Sequence, residues 1–387
     1  MAIDFLVVGQ LPPPIHGSNI MTNQFLNGLI KIGFNVSIVE KKFSTRQNEI
    51  AKVSIDKILK IPIIVLEIII ENLLKRPKFC FYFISVQPPA FYVDALFLFI
   101  LRVLRIDYIL YLHGKGLSHL SQTSKGFKKF VIDHTLSGAF GGLVLGHRLK
   151  SDIDSFIPHS RLYILPNAVP DIDSKKIRSA GKFPIQILFL SNLIPSKGAM
   201  EFLKLAKVVS QKVSSIVFVL GGPQRSEQFF NKIMDFIQKE QLKDVVKVPG
   251  PIYGKEKEEY FRNSSIFVFP TYYEKETFGL VNIEAMQWGL PVITTDEGAI
   301  PEVVKHGING YIVNPHNLDQ LAYYTLKLIK NEKLRKKMGD AGRDRYEKYF
   351  SINVYEENLK NAVNFFSQKK MMMKKNMDRK VGMSSEL

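Results

Sequence analysis

Short apolar runs that end in Gly-, Ser- or His-bearing loops and give way to helical stretches recur along nearly the whole 387-residue chain. Few architectures accept that alternation, because strands separated by helices pair in parallel and are covered on both faces. Residues 3–8 read as a buried strand, 19–32 as an amphipathic helix stopped at Gly33, and 35–39 as the next strand. Further strands are expected at 79–85, 108–112, 142–145 and 163–165. Residues 170–184 are polar, charged and Gly/Pro-punctuated, as a linker would be. The pattern then restarts, with strands at 185–190, 216–220, 245–248, 266–269, 292–294 and 311–313. The expected fold is α/β, two doubly wound Rossmann-like domains facing a cleft, spanning 1–175 and 176–348. Open α/β sheets bind ligands at the carboxyl ends of their strands, which makes the cleft the default site. Residues 349–368 read as a further helix with apolar spacing. The basic tail 369–387 has no capacity for a core and is expected to be disordered.

Composition narrows the function classes. Cys80 is the only cysteine, so an intrachain disulfide is impossible and nothing suggests a structural zinc site. Asp4 stands where an export signal would carry basic residues, and the start runs directly into a strand, so no signal is inferred. The most apolar region, 91–112, is interrupted by Asp94, Arg102, Arg105 and Asp107, which a membrane-spanning helix rarely tolerates. The formal net charge is +17, and its excess favours residues 1–178 (22 Lys/Arg against 13 Asp/Glu) and the tail (6 against 2). Two basic regions are also apolar, 57–76 and the segment around Arg102 and Arg105. They suit either an anionic membrane surface or a buried helix with basic flanks. No nucleic-acid recognition motif accompanies the charge, and nucleic acid is not expected as a partner.

The chemistry concentrates at strand ends. Glu276 and Glu284 have seven residues between them and straddle a loop-to-helix junction, since 272–276 is loop-like and 280–288 is helical until Gly289 and Pro291. Unpaired amides of that first turn, near Gly279 and Leu280, would lie between the two carboxylates and suit a phosphate. A ligand with hydroxyls flanking a phosphate fits; two solvated surface charges are the plainer reading. Lys197 follows the strand 185–190 and is placed to neutralise phosphate. Gly221 and Gly222, and then Gly250, repeat that layout after the next two strands. In the first domain, Gly17 lets backbone approach a ligand at a helix start, and His113 follows the strand 108–112.

These residues resemble the signature of family 4 glycosyltransferases, retaining enzymes of GT-B fold that use nucleotide-sugar donors. The resemblance is carried by 269–284 together with Lys197-Gly198, Gly221-Gly222-Pro223, Gly250, 289–292, Pro301-Glu302 and 306–310, in order and at similar spacing. It is specific over roughly 185–350 and looser before that, where Gly17, 112–114 and Pro166-Asn167 are the recognisable points. The resemblance implies that the helix at 349–368 returns to the first domain, that Glu276 meets the donor sugar's hydroxyls and that Glu284 meets the ribose. Amides at Phe278, Gly279 and Leu280 would meet sugar and diphosphate, and Lys197 would balance the diphosphate charge. It further implies donor contacts from Asn192 and Gly222, close approach at Gly17, and contact of His113 with the transferred sugar; the catalytic set is then Glu276, His113 and Lys197. Three positions depart from the pattern: Asn192 stands where relatives carry an arginine, so that either Lys197 works with fewer charges or another cation, such as Arg225, helps; His16-Gly17 replaces Gly-Gly, and Ala168 replaces a glycine.

On this scheme no metal or other cofactor is required. Asp152/Asp154 and Asp171/Asp173 are rejected as metal motifs, the first because i and i+2 do not share a helix face, the second because it lies in the linker. The implied activity is transfer of one sugar to a glycan or lipid-linked acceptor in cell-envelope polysaccharide synthesis, by a cytoplasmic protein peripheral on the inner membrane face. A GT-B nucleotide-sugar epimerase and a non-catalytic nucleotide- or glycan-binding scaffold are the alternatives.

Overall fold

The computed structural model describes residues 4–13, 17–43, 55–173 and 184–384. The chain divides into two compact units, Met1–Asn167 with Tyr355–Leu387, and Ala168–Val354. The linker reading at 170–184 falls largely on 174–183, outside the described residues, as do residues 14–16 of the first loop.

In the first unit, β1 (Phe5–Gly9), α1 (Gly17–Lys31), β2 (Val36–Glu40), α2 (Ile55–Lys75), β3 (Phe79–Ile84), α3 (Ala90–Val103), β4 (Tyr108–Leu112), α4 (Leu117–Thr123), α5 (Gly126–Ser137), β5 (Gly141–Val144) and β6 (Leu162–Ile164) follow one another. The strands form one parallel sheet in the order β2-β1-β3-β4-β5-β6. Its central strands are buried at every residue, which is why they are apolar throughout rather than alternating. Phe5, Phe25 and Phe81 meet edge to face, with centroids 5.1–5.4 Å apart, and fix α1 on the sheet. Strand order reverses between β1 and β3, so the carboxyl ends of those two strands flank this sheet's switch point.

The second unit repeats the plan with β7 (Ile185–Leu190), α6 (Ala199–Ser210), β8 (Ile216–Gly221), α7 (Glu227–Lys239), β9 (Val246–Gly250), α8 (Gly254–Asn263), β10 (Ile266–Phe269), α9 (Leu280–Gln287), β11 (Val292–Thr295), α10 (Ile300–Val303), β12 (Gly310–Val313), α11 (Leu318–Lys330) and α12 (Glu332–Tyr349). Its parallel sheet runs β12-β11-β10-β7-β8-β9, with the switch point between β7 and β10. Both domains are thus Rossmann-like. Asn317 and Asn331 cap α11 and α12, each side chain accepting a backbone amide three residues on.

The last helix, α13 (Ile352–Ser384), carries the chain back into the first unit. Tyr355, Leu359 and Phe366 are buried there, with Leu359 over Gly28 and Phe366 over Gly141. Beyond residue 368 the expectation of disorder is corrected, since the helix continues to Ser384. Lysine and methionine are good helix formers, and a turn added to an anchored helix needs no new nucleus. Lys370 anchors the extension, 2.8 Å from Asp107 and over the ring of Phe79.

Candidate functional site

The second switch point gathers the residues singled out in the sequence. A 3-10 turn, Pro195–Lys197, sits between β7 and α6 and delivers Lys197. Residues 270–279 leave β10 and deliver Glu276. The backbone joins the two loops where Tyr272 N donates to the Ser196 carbonyl at 2.8 Å, and Glu276 N donates to the Tyr273 carbonyl at 2.7 Å within the second loop. Lys197 Nζ then reaches Glu276 Oε2 at 2.6 Å, with side chains only 15% and 10% exposed, and lies 4.5 Å from the centre of the Tyr273 ring. A charge-assisted bond this short in a nearly dry setting fixes both side chains.

Glu284 lies one turn inside α9. Its Oε1 accepts from Lys257 Nζ of α8 at 2.6 Å, while its Oε2 is buried with no hydrogen-bond partner. A carboxylate oxygen out of water needs a donor, and the two hydroxyls of a ribose supply donors. Lys257 was not identified from sequence; among many exposed lysines, only the approach of α8 to α9 distinguishes it.

Between the two ion pairs lies the start of α9. Gly279 is its N-cap, with φ 63° and ψ 62°, in the left-handed region, and no side chain caps the helix. A Cβ at Gly279 would press on Asn282 Nδ2 at 2.7 Å, so glycine is required by both conformation and space. The first amides of α9, at Leu280 and Val281, have no intrahelical acceptor, an arrangement that with the positive end of the helix dipole would suit an anion. Phe278 is buried against Phe350, ring centres 5.9 Å apart, and pins the loop from below. Gly298 fits under the Glu276 and Thr277 carbonyls with φ 52°, and Ala299 N donates to the Thr277 carbonyl at 2.7 Å. Sequence reasoning overlooked Gly298, since its role exists only once the 294–299 loop crosses the 276–278 loop.

The neighbouring strand ends close the site. Gly222 N donates to the Gly250 carbonyl at 2.8 Å, Ser191 N to the Gly221 carbonyl at 3.1 Å, and Arg225 Nε reaches Asn192 Oδ1 at 3.3 Å. Arg225 therefore stands beside Asn192, one of the two alternatives left open for that position. Gly222 has φ 147°, and a Cβ there would collide with the Ser191 carbonyl. Gly222→Ala should accordingly cost about 3 kcal/mol or more, read as a lowered denaturation midpoint, while Gly33→Ala, with open space at φ 97°, should cost only about 1.

Two expected site residues belong to the first unit. Gly17 opens α1, a helix with no acidic residue in its first turn. His113 follows β4, its ring 4.2 Å from that of Tyr111 and 5.4 Å from that of Phe83. Burial pushes its pKa down to about 3, so the imidazole is neutral at physiological pH and can donate one hydrogen bond and accept another. The unfolded chain takes up this proton near pH 6.5 and the folded one does not, so His113 removes stability as pH falls from 6.5 towards 3. The slope is at most about 1.4 kcal/mol per pH unit. Melting curves between pH 6.5 and 5 should show this loss, and His113→Asn should flatten it.

Asp152 accepts from the amides of Gly116, Leu117 and Ser118, capping α4, and Asp154 pairs with His159 at 3.2 Å. Asp171 accepts from the Tyr346 hydroxyl. Both Asp-x-Asp matches therefore contain an aspartate engaged in structure, and no cluster of metal-ligating side chains occurs among the described residues.

Residues 171–345 match the model of the family described as glycosyl transferases group 1. The chain is 30% identical over 181 residues to the capsular polysaccharide biosynthesis glycosyltransferase CapM of Staphylococcus aureus, a match covering 46% of this chain and 45% of that protein. It thus spans less than half the length of that relative. Over nearly its whole length it superposes on HepE of Anabaena in complex with UDP (TM-score 0.70, 13% identity, 94% of this chain and 100% of that one). A glycosyltransferase of Rickettsia africae gives TM-score 0.71 at 17% identity, over 94% and 98% of the two chains. Two six-stranded parallel sheets of this kind make the fold GT-B, and residues 171–345 are similar to the group 1 glycosyl transferases.

Proposed function

We propose that this protein is a retaining glycosyltransferase that moves one sugar from a nucleotide-diphosphate-sugar to a glycan or lipid-linked acceptor of the cell envelope. One observation carries the reading: two lysine-held carboxylates, Glu276 and Glu284, flank an uncapped helix start. A nucleotide-diphosphate-sugar has the complementary layout, with hydroxyls on its sugar and its ribose and a diphosphate between them. Glu276 would accept from the sugar hydroxyls and Glu284 from the ribose. The amides at Gly279 and Leu280, with Lys197 and the Asn192–Arg225 pair, would face the diphosphate. The UDP complex of HepE and the capsular role named for CapM favour this donor class and this kind of acceptor.

In the reaction the bond from the anomeric carbon to the diphosphate oxygen breaks and a bond to the acceptor oxygen forms. The acceptor's proton passes to the departing phosphate. Negative charge grows on the diphosphate as the sugar becomes cationic, so Lys197 and the α9 start act where charge develops, and the scheme needs no metal ion. Gly17 and His113, from the first unit, are assigned to close diphosphate approach and to the transferred sugar. Incubation with a panel of nucleotide sugars, reading the anomeric configuration of the product by NMR coupling, should give one donor turned over with retention. An inverted product would contradict the proposed mechanism.

Association with an anionic membrane surface is part of the same proposal. Helix α2 buries only Ile64 and Ile68, while Leu59, Ile63, Leu66, Leu73 and Leu74 are each more than half exposed. Beside it, α3 exposes Phe99 and Val103, and α5, packed on α3, exposes Phe127 and Phe130. Over 55–76, 90–105 and 125–137 there are nine Lys/Arg against five Asp/Glu, one of them the buried Asp94. No helix among the described residues is long and apolar enough to cross a membrane, so the fit is to helices lying in the interface. The protein should sediment with vesicles containing phosphatidylglycerol and release at high salt. Leu66→Glu with Leu73→Glu should weaken sedimentation about tenfold or more, and indifference to lipid charge would contradict the assignment.

A further inference from the structure

The last helix outruns the unit it packs on. Helix α13 is buried at Tyr355, Leu359, Val363 and Phe366, and its final fixed point is Lys370, whose Nζ donates to the Lys78 carbonyl and to Asp107 Oδ2, each at 2.8 Å. From residue 371 to Ser384 the helix continues for about 21 Å. Met371, Met372 and Met373 are 46–59% exposed, and Lys374 and Lys375 after them are exposed as well. Helical propensity accounts for the helix. It does not account for three adjacent methionines left in water, since apolar surface gathered in one place marks a surface that something covers.

The extension is amphipathic in sequence. Positions 366, 370, 373, 377 and 381 fall on one helix face, so the stripe that packs Phe366 on the sheet is carried on in sequence by Met373, Met377 and Val381. Lys374 and Lys380 border that stripe, and residues 369–387 hold six Lys/Arg against two Asp/Glu. An apolar stripe edged with lysines is the pattern of a helix lying in a membrane interface, where methionine sinks below the head groups while the lysine ammoniums reach the phosphates. Nucleic acid would attract the same cations but would offer the methionines no hydrocarbon.

The place of the extension favours lipid further. Lys78 and Asp107, which hold Lys370, lead into β3 and β4 at their amino ends. Helix α2 ends at Lys75 and α3 at Val103, three and four residues before those points, so both helices assigned above to the membrane surface finish at the rim from which the extension departs. Leu73, Leu74 and Val103 are exposed there, with Arg76 and Arg105 exposed beside them. Apolar and basic surface thus continues from the ends of α2 and α3 to the start of the extension.

We infer that α13 beyond Lys370 is a second membrane-contact element, which lies in the interface of an anionic bilayer with Met373 toward the acyl chains and Lys374 and Lys375 on the lipid phosphates. The inference deepens the membrane association proposed above and rests on it. Two attachments at one rim hold better than either alone, because once α2 is seated the extension has only nearby lipid to search.

The test uses the 387-residue chain. Cys80 is buried and is the only cysteine, so one new exposed cysteine takes an environment-sensitive dye selectively. The dye on Met373→Cys should move its emission to shorter wavelength when phosphatidylglycerol vesicles are added, and should respond neither to phosphatidylcholine vesicles nor to a DNA duplex. The dye on Met372→Cys, off the stripe, should respond much less. Lys374→Glu with Lys375→Glu should weaken sedimentation with phosphatidylglycerol vesicles about thirtyfold or more, while the thermal shift given by nucleotide sugars, which reports the second unit, stays unchanged. A dye at 373 that keeps its emission in water while the protein sediments would overturn the inference. So would equal responses at 372 and 373, a response to the duplex in place of the vesicles, or full sedimentation of the double lysine variant. A protein whose sedimentation depends on Leu66 and Leu73 but not on Lys374 and Lys375 loses this inference and keeps the association proposed for α2. One that responds at 373 and is indifferent to Leu66→Glu with Leu73→Glu does the reverse.

Discussion

Glu276→Gln should lower sugar transfer by roughly 10²–10⁴-fold. The variant keeps the shape of the side chain and removes its charge, and a hydrogen bond to a charged group contributes about 1.5–3 kcal/mol, so two sugar hydroxyls losing a carboxylate acceptor account for that range. The loss should appear mainly in kcat, because positive charge develops on the sugar only as the diphosphate departs. A variant that keeps half or more of wild-type turnover would remove Glu276 from the reaction.

Lys197→Met should be as damaging to turnover, about 10²–10³-fold, by withdrawing a cation from the leaving diphosphate. Its effect on stability separates the structural part of the Lys197–Glu276 pair from the chemical part. Both side chains are nearly dry at 2.6 Å separation, so either single replacement leaves a buried charge unpaired, at a cost of about 3–5 kcal/mol in the ligand-free protein. The double variant Lys197→Met with Glu276→Gln should recover most of that stability and none of the activity. Denaturant unfolding of the four proteins measures the coupling directly, and additive losses would show that the two residues do not depend on one another. Under the proposed function, donor binding would exchange the partners of this pair, Lys197 turning from a carboxylate to a phosphate and Glu276 from an ammonium to hydroxyls.

The strands were the most legible part of the fold. Strands 108–112, 185–190 and 266–269 coincide with β4, β7 and β10, and the others differ at their ends by a residue or two. A strand covered on both faces must be apolar at every position, and such runs stand out in a chain otherwise built of amphipathic helices. In the candidate site, the positions of Glu276, Glu284, Gly279 and Lys197 were legible because they sit at fixed distances from strand or helix ends. Lys257 and Gly298 were not, because each acquires its role from a segment with which it shares no local pattern. The Lys41–Asp94–Tyr82 network was hidden for the same reason, being assembled from β3 and α3 and the residue that follows β2. Helix α2 was ambiguous for a physical reason: an aliphatic run with basic flanks reads alike whether its outer face is covered or exposed, and only the fold shows Leu59, Ile63, Leu66, Leu73 and Leu74 exposed. In the tail, lack of core-forming residues was taken for lack of order, whereas helical propensity on an anchored helix was sufficient.

The most direct test of the account is the melting temperature of the wild-type protein and of Glu284→Ala across a panel of nucleotide-diphosphate sugars. A ligand bound only by the folded state stabilises by mass action, by about 2.7 kcal/mol at a hundred times its dissociation constant. The account predicts that at least one nucleotide-diphosphate sugar raises the wild-type melting temperature by several degrees, and that Glu284→Ala, having lost the ribose acceptor, needs about tenfold or more ligand for the same shift. A panel that leaves the wild type unmoved, or a shift that Glu284→Ala fully retains, would contradict it.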